Sequence, residues 1–193
     1  MRRALLAVPL LLAACGSTET PNAATTIAAA TSPASSTVAA TTSPAAPSPS
    51  STIAAGPKLG TAQPFSSDGS SARLTAFSVR QPTALKAPKP QAAGMEWASA
   101  DVQVCADVLG PNYDYLYVTN DPWSLVYADG TTATPSSVTY QQFDAPEYPI
   151  TDRTIKVGRC IRGWVTFTAP AGKKATMVEY QSRDGNVFDW STE

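Results

Sequence analysis

From Trp97 to Val108 the chain alternates without a break. Ala98, Ala100, Val102, Val104, Ala106 and Val108 fall on one side; Ser99, Asp101, Gln103, Cys105 and Asp107 fall on the other. A period of two is the signature of a strand with one buried face. Such a strand needs neighbours on both edges and a second apolar layer over its inner face. The rest of the C-terminal part supplies both. Residues 74–79, 115–118 and 161–168 read as further strands. Residues 123–127 and 131–134 flank Ala128-Asp129-Gly130, and residues 175–181 and 187–190 flank Asp184-Gly185-Asn186, two hairpin signals. Residues 82–90 hold three prolines and read as a loop. No window has a helical period. The expected fold is all-β, an immunoglobulin-like antiparallel β-sandwich after a disordered linker.

The linker is set apart by composition. All sixteen aromatic residues lie between Phe65 and Trp190, so the expected domain is 57–193. Residues 16–56 are almost entirely Ser, Thr, Ala and Pro, with one charge, Glu19. Such a segment lacks the apolar surface to offset its ordering entropy. It reads as a flexible tether, either O-glycosylated or unmodified. Ahead of it, Met1-Arg2-Arg3 precedes eleven uncharged residues, 4–14, too few for a membrane span and the right length for a signal-peptide core. Leu12-Ala13-Ala14-Cys15-Gly16 resembles a bacterial lipobox. The resemblance implies cleavage before Cys15, diacylation of its thiol and a stable anchor on the outer leaflet. Residues 1–15 are therefore expected to be a lipoprotein signal peptide, with lipidated Cys15 as mature residue one. The alternatives are an ordinary secretory signal or a chance cysteine.

Two further cysteines remain, Cys105 and Cys160. Outside the cytoplasm they are expected to form a disulfide, two free thiols being the alternative. Both have the parity opposite to the core residues of their strands, so the bridge is expected on an outer sheet face or edge. Trp97 shares the parity of Cys105, and Trp164 that of Cys160, which suggests a small cluster beside the bridge.

The order of elements resembles a family of secreted and lipid-anchored bacterial β-sandwich domains. It is similar to the telokin-like, immunoglobulin-related secreted antigens of mycobacteria. The matching pieces are Trp97 with Val102-Gln103-Val104-Cys105, the strand Ser124–Tyr127 running into Ala128-Asp129-Gly130, and Val157-Gly158-Arg159-Cys160 continuing through Gly163-Trp164 to Phe167 and Pro170. These motifs are structural. They imply a fold and no catalytic site. The segment Val108-Leu109-Gly110-Pro111-Asn112 departs from the family pattern, so the turn there is expected to differ.

Chemistry is scarce. The 193 residues include no His, which removes Ser-His-Asp and Cys-His catalysis and most zinc sites. Formal net charge is −1, which argues against phosphate-neutralising nucleic-acid binding. There is no phosphate loop, nucleophile elbow or Cys-x-x-Cys. No cofactor and no metal are expected. Carboxylate pairs, Asp144 with Glu147 or Asp114 with Asp121, are the one catalytic option left; solvated loop acids are the plainer reading. Asp121, Asp129 and Asp184 lack the spacing of a calcium loop.

One surface feature stands out. Tyr113, Tyr115 and Tyr117 share a parity, Leu116 and Val118 the other, and Trp123 and Tyr127 follow. With Leu116 and Val118 inward, Tyr113, Tyr115, Tyr117 and Trp123 form a candidate binding surface, unless the Pro-rich loop 81–95 covers it. The chain is thus expected to be a lipid-anchored cell-envelope protein, monomeric, facing outside the cytoplasm. It would present a non-catalytic binding module to an envelope protein or a glycan. A passive spacer or antigen and a carboxylate-based envelope hydrolase are the alternatives.

Overall fold

A computed structural model describes residues 56–193. Cys15, the signal peptide and all but the last residue of the tether lie outside the described residues. The described part contains ten strands and no helix. They are β1 (Gln63–Ser67), β2 (Ser70–Arg80), β3 (Met95–Val108), β4 (Leu116–Val118), β5 (Trp123–Tyr127), β6 (Thr132–Ala133), β7 (Arg153–Ile155), β8 (Cys160–Pro170), β9 (Ala175–Gln181) and β10 (Val187–Ser191). One antiparallel sheet has the order β1-β2-β3-β8, the other β10-β9-β5-β6, and β4 and β7 form a separate ribbon. This is the expected antiparallel β-sandwich.

The alternation of β3 holds. Ala98, Ala100, Val102, Val104 and Ala106 are buried in the core beside Leu74 and Ala76 of β2 and Val165 and Phe167 of β8. Leu125, Val178 and Trp190 meet them from the second sheet. A fully buried Leu74 or Leu125 contributes roughly 1.5–3 kcal/mol. In β2 the register with β3 shifts between Ala76 and Ser78. This bulge reverses the parity, so Leu74 and Ala76 face inward before it and Val79 packs on the core after it. Phe77 is left outside, under the guanidinium of Arg162 at 3.8 Å.

Cys105 and Cys160 are directly paired across β3 and β8, and their side chains are bridged. The bridge joins neighbouring strands of one sheet, on its outer face. Both hairpin turns are where the sequence puts them: Tyr127 N–H donates to Thr131 O (2.9 Å) and Ser182 N–H to Asn186 O (2.9 Å).

The outer face of the first sheet is partly covered. Ser99, Asp101, Thr75 and Thr166 are buried there. The cover is the segment after β6. It follows the free edge of β8, with Ser136 N–H donating to Thr166 O (2.7 Å), Trp164 N–H to Pro146 O (2.8 Å) and Tyr148 N–H to Trp164 O (2.9 Å). Gly163 permits this approach: a Cβ there would lie 2.8 Å from Pro146 O and from Tyr148 N. The Gly163-Trp164 pair in the sequence marks that crossing. An exposed edge strand is a template for unwanted pairing, and here it is occupied.

Trp97 and Trp164 sit beneath this cover and not as a cluster beside the bridge. Trp97 stacks edge-on with Phe143 (5.0 Å between centroids) and donates from Nε1 to Pro88 O (2.8 Å). Eight residues of extended strand, about 27 Å, separate it from Cys105. Trp164 lies under the guanidinium of Arg80 at 4.2 Å. The Pro-rich loop 81–95 therefore covers Trp97, at the end of β3 opposite the bridge.

Candidate functional site

The tyrosine stripe is exposed. Leu116 and Val118 turn toward the core, as their parity requires, and Tyr115 and Tyr117 stand outside at 39% and 55% exposure. Tyr113 precedes the strand at 50%. The Tyr115 and Tyr117 rings meet edge to face, 5.2 Å between centroids. Tyr115, and less strongly Asp152, raise the Tyr117 phenol above its ordinary pKa.

Trp123 does not belong to that surface. It is 1% exposed, in the core against Tyr180 (5.0 Å) and Trp190 (5.8 Å). Tyr127 is buried too. The reason is parity: Trp123, Leu125 and Tyr127 share one face of β5, and Leu125 is in the core. The remaining three tyrosines line a cleft of about 250 Å³ at one end of the sandwich.

Three turns build its rim. The β1–β2 turn has Asp68 and Gly69 in the left-handed region (φ 50° and 75°). It docks on Gly110, whose N–H donates to Ser70 Oγ (2.9 Å). A Cβ on Gly110 would lie 2.4 Å from Asp68 O, so only glycine fits. Tyr113 N–H donates to Gly110 O (3.0 Å), which fixes the start of the stripe. The β9–β10 turn contributes Arg183 and Asp184, and Asp184 accepts a hydrogen bond from Ser67 Oγ across the rim. Asp152, just before β7, completes it.

Phe65, Val104, Leu116, Val118, Tyr148 and Tyr180 also line the cleft. Tyr148 is the residue that the sequence did not reveal. It follows the β8-edge crossing into the core, 1% exposed, with its ring 6.4 Å from Trp123. Burial, with a smaller contribution from Tyr180, raises its phenol far above the ordinary value; the indole N–H of Trp123 opposes this. That N–H faces the phenol without reaching hydrogen-bond geometry, and both Trp123 Nε1 and Tyr148 Oη lack a partner. Among the described residues four buried side-chain atoms are unpartnered: these two, Thr166 Oγ1 and Asp189 Oδ1. Only the Tyr148 hydroxyl belongs to a residue lining the cleft. A second depression, about 280 Å³ between Thr83 and Trp97, has none.

The other candidate residues are placed elsewhere. Asp144 is held by Ser99 Oγ (2.6 Å), Thr83 Oγ1 (2.7 Å) and Arg80 (2.6 Å). Burial pushes its carboxyl up, but these donors outweigh it and leave the pKa lowered. Glu147 accepts from Thr139 Oγ1 (2.5 Å). Asp129 is tied to Lys173 and Thr131 within and beside its hairpin. Asp114 and Asp121 are exposed in loops. Among the described residues no three acids or cysteines gather as a metal site.

No family model matches the chain, and no curated protein matches it either. Two solved structures are similar. One is MPT63, a secreted protein of Mycobacterium tuberculosis, at 17% identity and TM-score 0.51, covering 69% of this chain and 94% of that one. The other is YcdA of Bacillus subtilis, described as a candidate lipoprotein, at 17% identity and TM-score 0.41, covering 67% of this chain and 38% of that one. The likeness to MPT63 is one of fold, and it agrees with the β-sandwich that the sequence resemblance implied.

Proposed function

We propose that this chain is a binding module of the cell envelope, held to the membrane by acylated Cys15 and displayed on the 16–56 tether. The tyrosine cleft is its binding surface. One observation carries the reading: three exposed tyrosines, Tyr113, Tyr115 and Tyr117, line one concave site. Exposed aromatic side chains gathered in a concave site offer a partner large contact area at little entropic cost. The bridge between Cys105 and Cys160 suits an oxidising compartment, and MPT63 is itself a secreted protein. A non-catalytic role is favoured because Asp144, one of the candidate acids, is committed to Ser99, Thr83 and Arg80.

Replacing Tyr115 by a photo-crosslinking phenylalanine in the full chain, on intact cells, tests this. Leu85, 83% exposed on the opposite loop, is the control position. A discrete adduct from position 115 and none from 85 is expected. No adduct, or the same adducts from both, overturns the binding surface. Mass spectrometry of the same protein is expected to find two acyl chains on Cys15, and a free thiol there overturns the anchor.

A further inference from the structure

We infer that the tyrosine cleft takes a quaternary ammonium ion; this rests on the binding-module reading and names its ligand class. The Tyr115 and Tyr117 rings stand at 90° to one another, 5.2 Å between centroids. Two rings at right angles form a corner with an aromatic face on each wall, and both residues line the cleft. Tyr113, also exposed, lines it as well. The face of an aromatic ring is its negative side, so such a corner attracts a cation.

The rim has the matching sign. It carries Asp68, Asp152 and Asp184 against one cation, Arg183, and all four are exposed. The ion pairs among the described residues engage Asp101, Asp107, Asp129 and Asp144, none of which lines the cleft. The three rim acids have no cation partner among the described residues, and an anionic ligand would meet net repulsion there. The lining then decides which cation. Inward of the rim, Phe65, Leu116 and Val118 offer no side-chain acceptor. A primary ammonium is strongly hydrated and needs close acceptors for its three N–H groups, so entering against these walls costs water without return. A quaternary ammonium has no N–H to satisfy. Its charge is spread over methyl groups that pack on apolar and aromatic surface. The exposed carboxylates act on it at longer range, by raising its concentration at the mouth of the cleft.

The test is a titration of the isotope-labelled full chain, read at the backbone amides of residues 113–118 by NMR. The probes are choline, its uncharged tert-butyl isostere, ethanolamine as the primary ammonium, and phosphocholine. Saturable shifts with choline are expected, about tenfold tighter than with the isostere or ethanolamine. Tyr115→Leu and Tyr117→Leu should each weaken choline about three- to tenfold, whereas Tyr115→Phe keeps the ring and should bind like the native chain. Both positions are exposed, so Tm should not fall. Asp152→Asn should weaken choline about twofold at low salt and leave it unchanged at high salt. Phosphocholine separates the sources of the ion. Weaker binding than choline assigns a free cation, the outcome that the acidic rim favours; tighter binding assigns the same ammonium to a headgroup. An isostere or ethanolamine that binds as tightly as choline overturns the inference, as does an affinity unchanged in both leucine variants. No shift with choline or phosphocholine overturns it too. In that case an adduct at position 115 on cells leaves the binding module standing with another ligand, whereas absence of both removes the two readings together.

Discussion

Asp144 and Tyr148 lie four residues apart in one loop and meet opposite fates. Asp144 reaches over the first sheet and finds three donors, from β2, β3 and the Pro-rich loop. Tyr148 turns into the sandwich and its hydroxyl finds no partner. The first is a finished contact that fixes the cover on the sheet. The second is left unpartnered beside Trp123 in the core. Proteins pair their buried polar groups where the fold alone sets the requirement. The difference separates a polar contact that the fold has completed from one that it has not.

The comparison can be broken by substitution. Asp144→Ala removes the acceptor of three hydrogen bonds, one of them charged. It is expected to cost about 2–3 kcal/mol of unfolding free energy, measured by urea denaturation at neutral pH. A loss below about 0.5 kcal/mol would mean that Asp144 does not fix the cover. The next effect is its pH dependence. The folded-state pKa of Asp144 lies below its unfolded value, so its contribution is present above the unfolded pKa of about 3.9 and is lost as pH falls through the folded one. The gap in stability between the native chain and Asp144→Ala should therefore be constant near neutrality and close at acid pH. A gap that widens on acidification would reverse the sign. The smallest effect is Tyr148→Phe without ligand. Removing an unpaired hydroxyl is expected to leave stability unchanged or raise it by up to about 1 kcal/mol in the same assay. A clear loss would show that the hydroxyl is paired in solution and that the two residues are alike.

Much of the sandwich was legible because alternation reports one buried face directly. β3, β5, β8, β9 and β10 could be read that way, and the two Asp-Gly turns set their connections. β1 and β7 could not. Gln63–Ser67 opens beside a proline and has Phe65 as its one large apolar residue, while Arg153–Ile155 has only Ile155 to bury. Trp123 shows a signal present and unused: it has the parity of Leu125, which makes it core, and nearness to Tyr117 in sequence says nothing against that. The cleft was half legible. Tyr113, Tyr115 and Tyr117 announce themselves by spacing, but Tyr148 stands in an irregular stretch between Pro146 and Pro149. No period exists there to give it a direction; only the crossing at Gly163 does.

The entry of the chain into the domain has a mechanical consequence. Lys58 runs parallel to Ser191 of β10, Ser191 N–H donates to Pro57 O (2.9 Å) and Leu59 N–H to Ser191 O (3.3 Å). Just beyond, the indole of Trp190 donates to Thr61 O (2.7 Å). A pull from the N-terminal side of Gly56 is borne first by these few bonds to the last strand, and peeling them would draw on Trp190, the side chain at the centre of the core. Load and core are thus joined at one residue, so the attachment yields only as the fold itself begins to yield.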